Sequence, residues 1–333
     1  MERIIVEGDT PLRPKRLNPM PTLEPTTQSF IDSLAAAGGP ALYELSPQAA
    51  RDVLRGAAGH APAPAATVED AIWPVGPTGS VEVRIVRPEG VVGTLPVILY
   101  THGGGWILGD KDTHIRLVKD LATGVNACVV FPNYTPAPDA KYPVQNEQAY
   151  AALEYVATHA EELNVDLGRL ALAGDSVGGN MAAVLALMIK ERGGPTPVCQ
   201  VLMYPVTDYV SNDGSYEEYS EGPWLSKKAM QWFFDAYLTS PDQADEITVS
   251  PLRATDEQLS GLPEALVITD ENDVLRDEGE AYARRLYGAG VRTTAARFEG
   301  TCHDFLIIDG LAKTPAVEGA LALVTSFLKR KLA

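Results

Sequence analysis

The segment RLALAGDSVGGNMAAVLALMIK, residues 169–190, decides the fold and contains the pattern Gly-x-Ser-x-Gly at 174–178. An apolar run precedes this pattern and a helical run follows it, which predicts a sharp turn from a strand into a helix. Such a turn lifts the hydroxyl of Ser176 above the sheet edge, beside the positive end of the helix. Glycine is needed at 174 and 178 because a Cβ there would crowd the neighbouring chain. The alternative is a turn without chemistry, and the flanking strand and helix disfavour it.

On both sides of this turn, from about residue 67 onward, apolar runs alternate with helical patterns. The first strand, VEVRIVR, alternates as a half-exposed edge should, whereas the later strands are continuous apolar runs typical of strands buried on both faces. This repetition predicts an α/β fold with a mostly parallel sheet and helices on both faces. The strand candidates are 81–87, 96–101, 127–131, 169–173, 198–204, 265–269 and 293–298, and the helix candidates are 113–124, 144–160, 177–192, 226–239, 277–289 and 315–331.

Two segments depart from this repetition. Residues 1–66 contain two short helical patterns and end in a linker at 59–66, so they must lie over something larger. The connection after Tyr204 is too long for an ordinary loop and leads into an aromatic helix at 224–237. That helix is interpreted either as core packing or as an apolar lid. We therefore divide the chain into an N-terminal segment, 1–66, and a main domain, 67–333, with an insertion at 206–240.

A glycine-rich loop, His102-Gly103-Gly104-Gly105-Trp106, follows the apolar run PVILYT. Consecutive glycines let backbone N–H groups point into a cavity, where they can bind an oxyanion together with the N–H of Val177. We expect His102 to brace this loop. The rival interpretation is dinucleotide binding, but Gly103, Gly105 and Gly109 miss the usual spacing, and no suitable acidic residue ends the next strand.

A nucleophilic serine needs a base and an acid that orients the base. Of five histidines only His303 follows Ser176, and it lies in a turn between the last strand and the last helix. The acid should end the strand ALVIT, and position alone leaves Asp270, Asp273 and Asp277 open.

These motifs together resemble the bacterial hormone-sensitive-lipase-like esterases, family IV, of the α/β-hydrolase superfamily. The resemblance spans roughly residues 100–305, and the motifs are specific in combination. The matching elements are the His-Gly-Gly-Gly-Trp loop, Gly-Asp-Ser-x-Gly-Gly at 174–179, Tyr204-Pro205, Ser250-Pro251-Leu252, Asp273-x-Leu275-Arg276-Asp277-Glu278 and His303-x-Phe305. The resemblance implies an eight-stranded sheet and a helical cap formed by the segments before residue 60 and after Tyr204.

The family pattern also implies roles for single residues. It selects Asp273 as the acid, although Val274 stands where the family has proline, and it assigns the oxyanion hole to Gly104, Gly105 and Val177. The implied activity is serine carboxylesterase action on short- to medium-chain acyl esters through Ser176, His303 and Asp273, with no metal or organic cofactor. We expect the substrate pocket to involve the aromatic residues Trp106, Tyr204, Trp224 and Phe305.

Two other functions compete with ester hydrolysis. Related hydrolases with similar loops cleave amides or formamides, and the same fold serves as a non-catalytic ligand receptor. Such receptors lack the intact histidine position, whereas this chain has His303, so the receptor is the weaker alternative.

Composition narrows the partners. The 333 residues carry 27 Lys and Arg against 44 Asp and Glu, a net charge of −17. This charge disfavours nucleic acid and anionic membranes and suits a small-molecule ester as the partner. Three distant cysteines, no secretory signal pattern and no long apolar stretch predict a cytoplasmic protein. The last strand, 293–298, is expected to be a sheet edge through which a homodimer forms.

Overall fold

The computed structural model describes residues 23–212 and 214–333. Its strands form one sheet and are β1 (Ala66–Trp73), β2 (Val81–Pro88), β3 (Leu95–Thr101), β4 (Cys128–Asn133), β5 (Val165–Asp175), β6 (Cys199–Met203), β7 (Glu264–Asn272) and β8 (Thr293–Cys302). They lie in the order β1-β2-β4-β3-β5-β6-β7-β8. The pairs β1–β2 and β2–β4 are antiparallel and the other neighbours are parallel. The predicted eight-stranded, mostly parallel sheet is confirmed.

Helices cover the sheet as two layers. Four of them are α3 (Ile115–Val125), α4 (Val144–Thr158), α5 (Val177–Arg192) and α10 (Pro315–Leu332). The helix α10 packs against α3, and α5 packs against α4 and against β5 and β6. The remaining helices are α1 (Pro25–Ala37), α2 (Pro47–Ala57), α6 (Gly214–Glu218), α7 (Lys227–Tyr237), α8 (Asp256–Leu259) and α9 (Arg276–Gly288).

The centre of the sheet explains the continuous apolar runs of the sequence. Every residue of β3 is buried, as are the first five of β4, because helices cover both faces of these strands. The helix α5 is buried from Val177 to Ile189 and holds the turn after β5 rigidly against the core. The predicted nucleophile turn therefore lies at the start of a helix that is buried over most of its length.

The sheet begins with a strand that the sequence analysis missed. The edge strand is β1, not VEVRIVR, which forms β2 between β1 and β4. Five of the eight residues of β1 are exposed and only Trp73 is buried, so the strand lacks the regular apolar alternation by which a strand is detected. The predicted linker, 59–66, accordingly ends where β1 starts.

Both segments predicted to lie outside the sheet contain helices. Ser46 caps α2, with its Oγ accepting the N–H of Ala49 at 3.3 Å, and α1 ends before Gly38. The two segments touch, because the ring of Phe30 in α1 lies 5.5 Å from that of Trp224 in the 206–240 insertion. Residues 1–22 of the predicted N-terminal segment lie outside the described residues.

Within the described ranges, the structure contains no helix with both the length and the apolar character needed to cross a membrane.

Candidate active site

Ser176 stands at the turn between β5 and α5, with a backbone φ of 53° and ψ of −123°. A non-glycine residue rarely adopts a positive φ, so this turn holds the serine in a strained conformation. The strain persists because backbone segments around the turn are in close contact. A Cβ on Gly178 would overlap the carbonyl oxygen of Thr101, and a Cβ on Gly174 would overlap the carbonyl oxygen of Gly178. These overlaps are the physical reason for the two glycines of the motif.

Three side chains that are far apart in sequence form a continuous hydrogen-bonded chain. The Oγ of Ser176 lies 2.9 Å from Nε2 of His303, and Nδ1 of His303 lies 2.8 Å from Oδ2 of Asp273. All three side chains are buried. With Nδ1–H donating to the carboxylate, Nε2 is left to accept the serine hydroxyl proton, which is the tautomer that a base requires.

The charge around His303 favours its protonated form. Burial lowers the pKa of the imidazole, but the nearby carboxylates, Asp273 first and then Asp304, together have a larger effect and raise the pKa above its ordinary value. The site therefore stabilises the imidazolium that forms when His303 takes a proton from Ser176.

The structure distinguishes the three candidate acids. Only Asp273 bonds the imidazole, and its Oδ1 also accepts the N–H of Leu275 at 3.1 Å. Asp277 is bound instead by Arg276 and by the N–H of Ser215, at 2.8 and 2.9 Å. Asp270 is fully buried beside this chain without a hydrogen-bond partner among the described residues. Burial, and then the charge of Asp273, raises its pKa well above the ordinary range, so Asp270 is neutral.

The acidic residues after Asp273 hold the 206–240 insertion in place. Asp277 accepts the N–H of Ser215, and the buried Glu278 accepts the N–H of Thr207 at 2.7 Å. A motif that follows the acid in sequence thus ties the insertion to the start of α9.

The glycine loop lies next to the serine. Gly104 and Gly105 line the same cavity as Ser176, with φ values of 104° and 62°. Their N–H groups have no hydrogen-bond acceptor among residues 23–212 and 214–333. Val177 is the first residue of α5, where helix N–H groups lack a partner within the helix. A Cβ on Gly105 would overlap the ring of Phe233, so only glycine fits between this ring and the cavity.

Asp175 and His102 brace this loop. Oδ1 of Asp175 accepts the N–H of Gly103 at 3.1 Å and the hydroxyl of Tyr100 at 2.6 Å, which joins the loop to the turn. Burial raises the pKa of Asp175, but His114 and the hydroxyl of Tyr100 together have a larger effect and lower the pKa below its ordinary value, which favours the carboxylate. The ring of His102 stacks on Tyr134 at 4.0 Å, and its Nδ1 lies 2.8 Å from the carbonyl oxygen of Gly103. This is the bracing role expected from the sequence.

A cavity of about 420 Å³, including its opening to solvent, lies over Ser176. Both outer segments, 1–66 and 206–240, contribute apolar walls to this cavity. The first segment provides Leu42, Val53 and Leu54, and the second provides Trp224, Leu225 and Phe233. The remaining lining residues are Gly104, Gly105, Leu108, Ser176, His303 and Asp304.

Of the four aromatic residues predicted for this pocket, only Trp224 lies on its lining. Trp106 is buried behind it in a stack with Tyr237 at 4.0 Å. Tyr204 and Phe305 lie beneath the catalytic candidates, with Tyr204 edge-on to His303 at 5.1 Å. These three rings lie behind the lining and fill the core next to the hydrogen-bonded side chains, so they support the walls of the cavity.

Sequence reasoning missed Asp304, an acid on the cavity lining, and the aliphatic residues of the first outer segment. The signal for Asp304 was its place directly after His303, in the turn between the last strand and the last helix.

One group of side chains in the described residues has the spacing of metal ligands. Asp270, Asp273 and His303 offer donor atoms within 4.8 Å of one another. In the structure, however, Asp273 and Nδ1 of His303 are hydrogen-bonded to each other, as an orienting acid is to its base.

Comparison with known proteins defines the class. Residues 98–307 match the family described as alpha/beta hydrolase fold. An esterase of Gibberella moniliformis is 35% identical, over 93% of this chain and 98% of its own. The carboxylesterase NlhH of Mycobacterium tuberculosis is 37% identical, over 76% of this chain and 79% of its own. The crystal structure of a thermostable esterase from Pseudomonas putida ECU1011 has a TM-score of 0.91 and 45% identity, covering 95% and 99% of the two chains.

The chain belongs to the α/β-hydrolase superfamily, in the hormone-sensitive-lipase-like branch that its motifs predicted. Relatives in this comparison are fungal as well as bacterial. Within that class, the protein is a carboxylic ester hydrolase.

Proposed function

We propose that this protein is a serine carboxylesterase that hydrolyses short- to medium-chain acyl esters through Ser176, His303 and Asp273. The observation that carries the proposal is the hydrogen-bonded chain from Ser176 Oγ through His303 to Asp273. Next to it lie the N–H groups of Gly104 and Gly105, which have no acceptor in the part of the chain that the structure describes. A nucleophile, its base, an orienting acid and an oxyanion site are the parts that acyl transfer needs.

In the proposed mechanism, Ser176 Oγ attacks the ester carbonyl while Nε2 of His303 takes its proton. Asp273 holds the imidazole and offsets its positive charge. The N–H groups of Gly104, Gly105 and Val177 bind the oxyanion of the tetrahedral intermediate. Nε2 then gives its proton to the leaving alcohol, and water repeats the sequence on the acyl-enzyme.

The lining of the cavity supports the preference for modest acyl chains. Both of its outer walls are aliphatic or aromatic, which suits an apolar acyl chain above Ser176. We propose that residues 1–66 and 206–240 form a cap over the main domain, 67–333, since both contribute side chains to this lining.

Hydrolysis of a nitrophenyl ester series from acetate to palmitate tests the substrate range. We expect kcat/KM to peak at short or medium chains and to fall steeply towards palmitate. A matching nitroanilide of the best acyl group should be cleaved far more slowly. Preference for palmitate would contradict the proposed range, and an amide cleaved as fast as the ester would favour amidase action.

The pH dependence follows from the charge around His303. The base must be unprotonated to accept the serine proton, and nearby carboxylates raise its pKa. Activity should therefore fall as the pH is lowered through this raised pKa, and kcat/KM should reach half its maximum above pH ~6.5, the value for a free imidazole. A pH profile of kcat/KM with a midpoint clearly below that value would contradict the electrostatic account of the site.

We also propose a homodimer formed through β8. The strand lies at one end of the sheet, and most of its residues up to Gly300 are partly or fully exposed. An edge strand of this kind offers unpaired backbone groups to a second copy. Sedimentation velocity at several concentrations should give a dimer mass, whereas a monomer throughout the range would contradict the proposal.

A cytoplasmic location is proposed on the basis of the three cysteines, which are buried, unpaired thiols. Cell fractionation should recover the esterase activity with the cytoplasmic fraction, and recovery with an exported fraction would contradict it.

A further inference from the structure

Asp304 is the only acid on the cavity lining formed by the described residues. Its side chain is attached to the 206–240 insertion, because Oδ2 accepts the indole N–H of Trp224 at 2.9 Å. The other oxygen, Oδ1, lies 3.5 Å from Nε2 of His303 and has no hydrogen-bond partner within residues 23–212 and 214–333. Asp304 is only 8% exposed, so solvent satisfies little of this group.

An unpaired oxygen on a buried carboxyl group is unusual. Buried polar atoms nearly always find a partner, since leaving one unpaired is costly. The separation of 3.5 Å from Nε2 exceeds an ordinary N–H···O length, and Nε2 already faces Ser176 at 2.9 Å. Oδ1 therefore lacks a donor at the place where substrate must bind.

The position of Oδ1 indicates which part of a substrate it meets. In the proposed mechanism Nε2 gives its proton to the leaving alcohol oxygen, so that oxygen comes within hydrogen-bond distance of Nε2. Oδ1 lies beside the same nitrogen. The atoms of the alcohol one or two bonds from its ester oxygen are consequently the ones within reach of Asp304.

We infer that Asp304 is a specificity-determining residue that selects esters whose alcohol part carries a hydrogen-bond donor next to the ester oxygen. The donor is a hydroxyl or ammonium group, as in monoesters of diols, of glycerol or of protonated amino alcohols. A plain alkyl ester leaves Oδ1 unpaired in the complex. The net charge of −17 is compatible with the cationic members of this class. The inference rests on the proposed function.

A matched pair of substrates tests it. 2-Hydroxyethyl butyrate and propyl butyrate share the acyl group and differ by a hydroxyl in place of a methyl group. We expect the wild type to favour the hydroxyethyl ester in kcat/KM by about tenfold, the effect of one hydrogen bond to a charged acceptor. The preference should vanish in Asp304→Gly, which removes the carboxyl group. It should shrink in Asp304→Asn, in which an amide bonded to Trp224 through its oxygen presents a neutral donor that only the lone pairs of the substrate hydroxyl can meet.

The choice of variant follows from the backbone. Asp304 has a φ of 65°, a conformation that asparagine and glycine tolerate well, so Asp304→Asn and Asp304→Gly preserve the turn. Because both esters use the same catalytic groups, a general loss of activity cancels in the ratio, whereas a merely structural role for Asp304 would leave the ratio unchanged.

The outcomes separate this inference from the proposed function. A wild-type ratio near one, or an unchanged preference in both variants, overturns the role of Asp304 while ester hydrolysis stands. If the wild type cleaves nitrophenyl butyrate but neither of the paired esters, the inference is again overturned. If the wild type cleaves none of the three esters, both the proposed function and the inference are overturned.

Discussion

Replacing Ser176 with alanine should lower kcat for ester hydrolysis by roughly a million-fold, the scale seen when a serine hydrolase loses its nucleophile. The substitution removes only Oγ, the atom that lies 2.9 Å from Nε2 of His303 and forms the acyl-enzyme in the proposed mechanism. The cavity and the glycine loop keep their shape. Steady-state hydrolysis of nitrophenyl butyrate measures the loss, and thermal unfolding checks that the variant is folded.

Cys302 provides the matched control, because it is the only other nucleophilic side chain adjacent to His303 in sequence. Burial raises the pKa of its thiol well above the ordinary value, so the reactive thiolate is disfavoured. We expect Cys302→Ala to keep kcat within a few-fold of the wild type. Substantial turnover by Ser176→Ala, or a collapse of turnover in Cys302→Ala alone, would assign the nucleophile elsewhere.

Replacing Asp273 with asparagine should lower kcat by about 10⁴-fold. The amide preserves the shape of the side chain but lacks the negative charge that offsets the imidazolium. It also permits a hydrogen bond in which Nδ1 accepts, which places the proton on Nε2 and removes the base. The loss should appear mainly in kcat, measured with the same ester, and should shrink as hydroxide replaces the base at high pH.

The neighbouring acids make this prediction specific. Asp277→Asn should change kcat little, since Asp277 bonds Arg276 and Ser215 and does not touch His303. Asp270→Asn should also be mild, because the raised pKa keeps Asp270 neutral and an amide replaces it without loss of charge. A loss in either variant as large as that in Asp273→Asn would contradict the assignment of the acid.

The elements that carry the site were predictable because their local chemistry is encoded in short motifs. The Gly-x-Ser-x-Gly pattern requires close chain contacts that only glycine permits, and the apolar runs on either side identify the strand and the helix. The strand β1 was missed because five of its eight residues are exposed and its sequence shows no regular apolar alternation. Its omission also made β2 look like the edge.

Tertiary contacts decided what position in the sequence could not. Position alone left three acids open and the family pattern selected Asp273, and in the structure Asp273 is the one of the three that hydrogen-bonds His303. The lining of the cavity depends on how two outer segments meet, so aromatic residues such as Trp106 proved to be supports. The side chain of Asp304 is positioned by its hydrogen bond to Trp224, which is distant in sequence and belongs to the 206–240 insertion. No local pattern encodes such a contact.

Covalent trapping of the nucleophile tests the central claim most directly. The protein is incubated with a nitrophenyl phosphonate ester, and the labelled peptide is identified by mass spectrometry in the wild type, in Ser176→Ala and in His303→Ala. The account predicts one phosphonylated residue, Ser176, with activity lost in proportion to labelling, no label in Ser176→Ala and much slower labelling in His303→Ala. Stoichiometric labelling of another residue, or full activity retained after Ser176 is labelled, would contradict it.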